Sequence, residues 1–237
     1  MPKKTRLGDD AAIYQQRNTQ QSEKEKLKNM PWKKRFSYIW EYYRYHGLAI
    51  ILAFIFISYI IYTIARPKAE TRLYAAIINN TIKEEVWDEY KDKITEYLEL
   101  DPKTENVFFD YQYYYKGTAD YAANMRTAFS VHLFAAEIDV IIAPLSEFSS
   151  YVDNGTFDPL SDQLPTDLYS SLTDKFYLSG TKDNPKVSAY GIYLTDTKLF
   201  KDHSLPTEDD PFLIGIVANS KNKKNAIEFI RYIFNEK

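Results

Sequence analysis

Between Gly47 and Ala65 nineteen residues, GLAIILAFIFISYIIYTIA, pass without a charge. At 1.5 Å per residue that is about the length a helix needs to cross a hydrocarbon core of ~30 Å. A helix buried in a soluble core keeps a polar face somewhere along its length. Here only Ser58, Tyr59, Tyr62 and Thr63 interrupt Leu, Ile, Ala and Phe, so residues 47–65 predict one N-terminal transmembrane helix. Everything before it belongs to one compartment and everything after it to another.

The flanks predict the orientation. Lys33, Lys34, Arg35 and Arg44 lie just before the run, with Lys24, Lys26 and Lys28 behind them, whereas only Arg66, Lys68 and Arg72 follow it closely. The more basic side stays cytoplasmic, which puts the C-terminal part outside. The run is longer than an ordinary signal-peptide core, starts late and ends in Ile64-Ala65-Arg66-Pro67 without a small-x-small cleavage site. It therefore reads as an uncleaved signal anchor in a cell membrane.

Charge divides the same way. Residues 1–46 hold 11 basic and 5 acidic residues, a net +6, and residues 66–237 hold 19 and 28, a net −9. An acidic outer part argues against nucleic acid as a partner, because phosphate neutralisation needs a clustered basic face. Cysteine is absent, so neither a disulfide framework nor a thiolate zinc site can form. A bacterial cell surface suits an outer domain without disulfides, and the sequons at Asn79-Asn80-Thr81 and Asn154-Gly155-Thr156 then have no glycosylating machinery to meet.

In chain order, residues 1–29 are polar and alternate in charge, too poor in apolar side chains to bury a core, and predict a disordered cytoplasmic tail. Residues 30–46 space Trp32, Phe36, Ile39, Trp40 and Tyr43 at helical intervals against Lys33, Lys34, Arg35 and Glu41. That pattern predicts an amphipathic juxtamembrane helix lying on membrane lipid before the chain bends into the span, with His46 as an interfacial residue. A connector, 66–72, leads to an α/β domain over 73–237.

Strands are predicted at Leu73–Ile78, Asn106–Tyr111, Ile138–Ala143, Val187–Leu194 and Phe212–Val217, alternating with helical patterns. Thr81 and Glu84 match a capping box at the start of the first helix, whose apolar face is Ile82, Val86, Trp87, Tyr90, Ile94, Tyr97 and Leu98. The second helix carries Tyr121, Met125, Phe129, Leu133 and Ala136. The third runs from Glu147 to Asp153, and Gly155 sits where a helix end wants positive φ. The last carries Ala226, Ile227, Ile230, Ile233 and Phe234. The stretch past Leu160 reads as polar loop. Continuous apolar strands covered on both faces predict a mostly parallel sheet with helices on both faces.

Two stretches resemble extracellular solute-binding proteins of the type 2 periplasmic binding fold. One is Glu137-Ile138-Asp139-Val140-Ile141-Ile142-Ala143 followed by Asn154-Gly155 and Phe157-Asp158-Pro159-Leu160-Ser161-Asp162. The other is Phe212 to Val217 followed by Ser220-Lys221-Asn222, Ala226 and Phe229. The resemblance implies solute binding by two lobes, but only about 50 residues separate Leu160 from Pro211, too few for a second ordinary lobe. It therefore implies a one-lobed, membrane-anchored relative.

Ligands of open α/β sheets sit beyond the carboxyl ends of the strands. Those ends predict Asn79, Asn80, Thr81, Tyr113, Tyr115, Pro144 and Ser146 as a ligand-binding set on one edge. Free amides at a helix start and tyrosine rings suit a small polar solute or a glycan. Cap, turn and core roles are the structural alternative for the same residues. No nucleophile elbow, phosphate loop or dinucleotide fingerprint occurs, His132 and His203 lack metal-ligand spacing, and Glu208-Asp209-Asp210 lacks the spacing of a calcium loop. The expectation is a non-catalytic chain without a cofactor. It acts either as a solute- or glycan-binding module or as an accessory subunit docking on a membrane or cell-wall protein.

Overall fold

The computed structural model describes Lys28 and residues 30–65, 69–182, 185–203 and 209–235. The expected disordered tail lies outside the described residues apart from Lys28, as do residues 66–68 of the expected connector 66–72. Met1–Arg66 and Pro67–Lys237 are two separate units.

In the first unit α1, Trp32–Ala65, is one uninterrupted helix. Its segment Arg44–Ile64, 21 residues, is long and apolar enough to cross a membrane. The expected boundary at Gly47 is no break: the amphipathic stretch and the apolar run share one helix, because Gly47 is a single weak helix former between two strong segments. Trp32, Phe36 and Trp40 are exposed along the first part, as are Ile50, Phe54 and Ile61 along the second.

The second unit is built on a six-stranded sheet. Its strands are β1 (Glu70–Ile78), β2 (Glu105–Tyr113), β3 (Val140–Pro144), β4 (Phe176–Ser179), β5 (Ser188–Tyr193) and β6 (Phe212–Ile216), in the order β2-β1-β3-β6-β5-β4. β1 pairs in parallel with β2 and with β3. The pairs β3–β6, β6–β5 and β5–β4 are antiparallel. The sheet is therefore mixed, not mostly parallel as expected. Buried apolar runs report that both faces are covered and say nothing of direction. The eight-residue link from β4 to β5 is too short for a parallel crossover.

Helices do cover both faces. On one face α2 (Glu84–Tyr97) and α8 (Lys223–Asn235) lay Trp87, Tyr90, Ile94, Phe229 and Ile230 against Leu73, Ala75 and Ile77 of β1. On the other, α3 (Ala119–Phe134) and α4 (Leu145–Asp153) lay Phe129, Phe148 and Val152 against Tyr74, Ala76 and Ile78. The alternation of β1 side chains between the two cores is the period-2 pleat of a strand buried on both sides.

The α3 stripe is thinner than its spacing suggests. Phe129 alone is fully buried, Met125 and Leu133 are partly covered, and Tyr121 is exposed. The expected loop beyond Leu160 is in part regular: α5 (Leu160–Gln163), α6 (Thr166–Ser171), a 3₁₀ turn at Thr173–Lys175, β4 and α7 (Lys198–His203) occupy it. Leu160, Leu168, Leu199 and Phe200 fix these short elements to the first core. Among the described residues, 161–210 thus add two strands to the same sheet and build no second lobe.

Glycine decides one packing detail. A Cβ on Gly191 would lie 2.6 Å from the Phe148 ring, and one on Gly215 2.8 Å from both Phe148 and Phe157. These two rings stack at 4.6 Å with 13° between planes, a contact that β5 and β6 admit only because neither glycine has a side chain.

Candidate functional site

β1, β2 and β3 run in the same direction, and the chain passes from β2 back across β1 to β3, so strand order switches at β1. Their carboxyl ends do converge. Asn79, just past β1, has φ +52°, a conformation asparagine tolerates better than most residues. Its amide donates to the Tyr113 carbonyl at 2.8 Å, and its Oδ1 accepts from the Tyr115 amide at 2.7 Å. The Tyr115 hydroxyl meets that of Tyr151 on α4 at 3.1 Å. Arg126 of α3 lies 4.1 Å over the Tyr115 ring and grips Glu147 of α4 with two bonds of 2.8 and 2.9 Å. Beside Glu147, Ser146 gives its amide and its hydroxyl to Asp210, both at 2.8 Å.

The other expected residues also bond their neighbours. The Asn80 Oδ1 accepts from the Ile82 amide at 3.0 Å and from the Trp87 indole at 2.9 Å, while its Nδ2 donates to the Ile82 carbonyl at 2.7 Å. The Tyr113 hydroxyl pairs with that of Tyr74 at 2.9 Å, and Tyr74 donates to Asp110 at 2.8 Å. Pro144 ends β3 opposite Phe212, fully buried. Thr81 does not cap α2. The cap position is Lys83, without a side-chain bond, so the expected box with Glu84 is not formed. Asn80 turns the chain three residues earlier by bonding Ile82, and Glu84 and Glu85 complement the helix dipole instead.

Burial raises the Tyr115 and Tyr151 hydroxyls above the ordinary tyrosine range, as it does Tyr74 and Tyr113. They stay neutral where an exposed tyrosine starts to ionise. Exposed on the same edge are the rings of Tyr114 and Tyr121, each 45% accessible.

The opposite ends of these strands carry a second network that the strand-end rule passes over. Asp139, fully buried just before β3, accepts from the Tyr74 amide at 2.9 Å, the Ser220 hydroxyl at 2.6 Å, the Asn222 amide at 3.2 Å and the Asn222 Nδ2 at 3.1 Å. Asn222 directly precedes α8, so the carboxylate sits where a helix start favours negative charge. Beside it lies a cleft of about 450 Å³ lined by Glu70, Thr71, Tyr74, Phe108, Glu137 and Lys221 among others. A lone carboxylate ahead of a Val-Ile run was the visible signal. Arg126, Glu147 and Tyr151 gave none, because their partners lie on other elements.

His132 meets Glu137 at 2.6 Å, and no group of three or more His, Asp or Glu placed to hold a metal occurs among the described residues. Asp210, the described end of the acidic run, bonds Ser146 at the start of α4. No family model and no curated protein matches this chain.

Proposed function

We propose that this chain is a single-pass membrane protein, amino terminus cytoplasmic, whose outer α/β domain is a non-catalytic interaction module. On this reading it docks on a membrane or cell-wall protein through the edge where β1, β2 and β3 end. The observation that carries the reading is the state of that edge. The side chains expected to meet a small ligand are bonded within the chain, while Tyr114, Tyr121 and Arg126 present aromatic and guanidinium surface above them. Rigid, exposed tyrosine and arginine are the residues that anchor protein interfaces, whereas a solute needs a concave site with groups left to bind it.

A second reading keeps the polar solute or glycan and moves it to the cleft beside Asp139, where Phe108 is a part-exposed ring next to Glu137 and Lys221. We also retain a one-lobed relationship to solute-binding proteins as part of the proposal. It is supported by Asp139 bonding Ser220 and Asn222, which joins the two stretches that carry the resemblance.

Photocrosslinking residues placed singly at Tyr114 and Tyr121 in the full-length protein on cells test the docking edge. Discrete crosslinked products from both positions are expected. Their absence, with a thermal shift of the purified protein by a sugar or solute panel, transfers the function to the cleft. Protease added outside intact cells should remove the region after Arg66 and spare a tag before Met30, and the reverse pattern overturns the topology.

A further inference from the structure

In the cleft beside Asp139 the polar groups are held in place and still have bonds to give. The Asn222 amide is oriented by its Nδ2, which donates to Asp139 at 3.1 Å and to the Thr71 carbonyl at 3.4 Å, and its Oδ1 bonds no described residue. Glu137 gives one oxygen to His132, and Glu70 gives one to Arg72 at 2.9 Å, so each keeps a second oxygen. The Thr71 hydroxyl has no bond among the described residues, and the Lys221 ammonium makes one long one, 3.4 Å, to the Ala135 carbonyl. Asn106 stands two residues before Phe108 on the same face of β2, in register with Thr71, and its buried Oδ1 has no donor. Buried acceptors left open in this way are rare.

One wall is aromatic. Phe108 is 42% accessible and meets Tyr74 edge to face, ring centres 4.9 Å apart. The Tyr74 hydroxyl is fixed in turn by Asp110 and Tyr113, so the phenyl ring stands on a braced support before any ligand arrives.

The charges cancel. Glu70 and Glu137 line the cleft against Lys221, and Arg72 closes on Glu70, two against two. A charged ligand leaving water would find no net attraction to offset its desolvation. A neutral one rich in hydroxyls can use every group, because a hydroxyl donates to carboxylate and amide oxygens and accepts from an ammonium. The phenyl ring asks for apolar surface as well. A pyranose offers both, with C–H groups on its faces and hydroxyls around its rim. At about 450 Å³ the cleft falls within the range of small-molecule sites.

We propose that this cleft holds a neutral sugar ring stacked on Phe108, with Glu137 and Asn222 accepting from its hydroxyls and Lys221 donating to one. Glu70, Glu137 and Lys221 are exposed, so the ring is one unit of a longer glycan rather than a sugar sealed from water. This assignment rests on the second reading of the function, which puts a ligand in the cleft.

Saturation-transfer NMR on the full-length protein in nanodiscs tests it, with cellobiose, maltose and diacetylchitobiose as neutral probes and glycylphenylalanine as a zwitterionic one. At least one disaccharide should receive transfer, strongest on the C–H protons of one ring. Phe108→Ala should cut that transfer severalfold at unchanged melting, and Phe108→Trp should restore it. Should Phe108→Ala fail to fold, Glu137→Gln and Lys221→Met at exposed positions carry the same test, each weakening transfer severalfold. Transfer to the dipeptide alone, lost in the same variants, keeps a ligand in the cleft and overturns the sugar. Sugar transfer that survives all of them, or none to any probe, overturns the cleft reading as well.

Discussion

The two ends of β1 and β3 are closed by polar networks of opposite kinds. At the end where the chain enters, one buried carboxylate collects donors from β1, from the loop after β6 and from the start of α8. At the other, neutral amides and paired tyrosine hydroxyls link β1, β2 and α4, and the charged groups that join them, Arg126, Glu147, Asp110 and Asp210, all keep some exposure to water. A buried charge suits an anchor: removing it strands every donor aimed at it, so the joint is all or none. A neutral network under exposed rings suits a platform, since each bond is worth less and can be lost singly.

The widest separation should come from Asp139. Asp139→Ala leaves four donors without their acceptor and should cost about 3 kcal/mol or more, read as a lower midpoint in urea at unchanged slope. Asp139→Asn, which keeps one oxygen, should cost distinctly less. If the two behave alike, the charge is not what closes this end.

Asn79 tests the platform with a smaller effect. Asn79→Ala loses the bond to Tyr115 and forces an alanine to φ +52°, about 2 kcal/mol in all. Asn79→Gly keeps the backbone freedom and should cost about half as much. An equal cost for both variants would show that the side-chain bond alone decides the turn.

These two residues also show how much was legible. Both faces of the sheet, the Trp87 and Ile230 stripes and the buried run from Val140 followed from apolar period alone, because each is a local pattern. Strand direction did not: the antiparallel half depends on connections through the short elements 160–179, whose three or four apolar residues are too few to show a period. The convergence of Asn79, Tyr115 and Ser146 followed from the strand-end rule. That their polar atoms would be used up by one another, by Tyr151 and by Asp210 did not, because those contacts cross 36 to 64 positions.

The two ends should also part in alkali. Tyr115 and Tyr151 hold their protons in the folded state above the ordinary range, as do Tyr74 and Tyr113, chiefly through burial. Above pH ~10 the unfolded chain releases those protons while the folded chain keeps them. The unfolded state then binds fewer protons, and stability falls as pH rises, by about 1.4 kcal/mol per pH unit for each such tyrosine. Tyr115→Phe should flatten the fall measured between pH 10 and 11. Asp139→Asn should leave its slope alone. A Tyr115→Phe curve parallel to the parent's would place the titrating group elsewhere.

The smallest effect on folding should come from Arg126, and it separates the platform's stability from its use. Its guanidinium is bonded twice to Glu147 and stacked on Tyr115, but half of the side chain faces water, so screening holds the pair below about 1 kcal/mol. Arg126→Lys keeps the charge and loses both the fork and the flat stack. Melting should shift by a degree or two, less at high salt. If the edge is a docking surface, crosslinking through Tyr121 should nonetheless drop severalfold, because arginine at the centre of an aromatic patch is where interfaces concentrate binding. Unchanged crosslinking with the small melting shift would leave Arg126 as a surface brace between α3 and α4 and move any contact toward Tyr114.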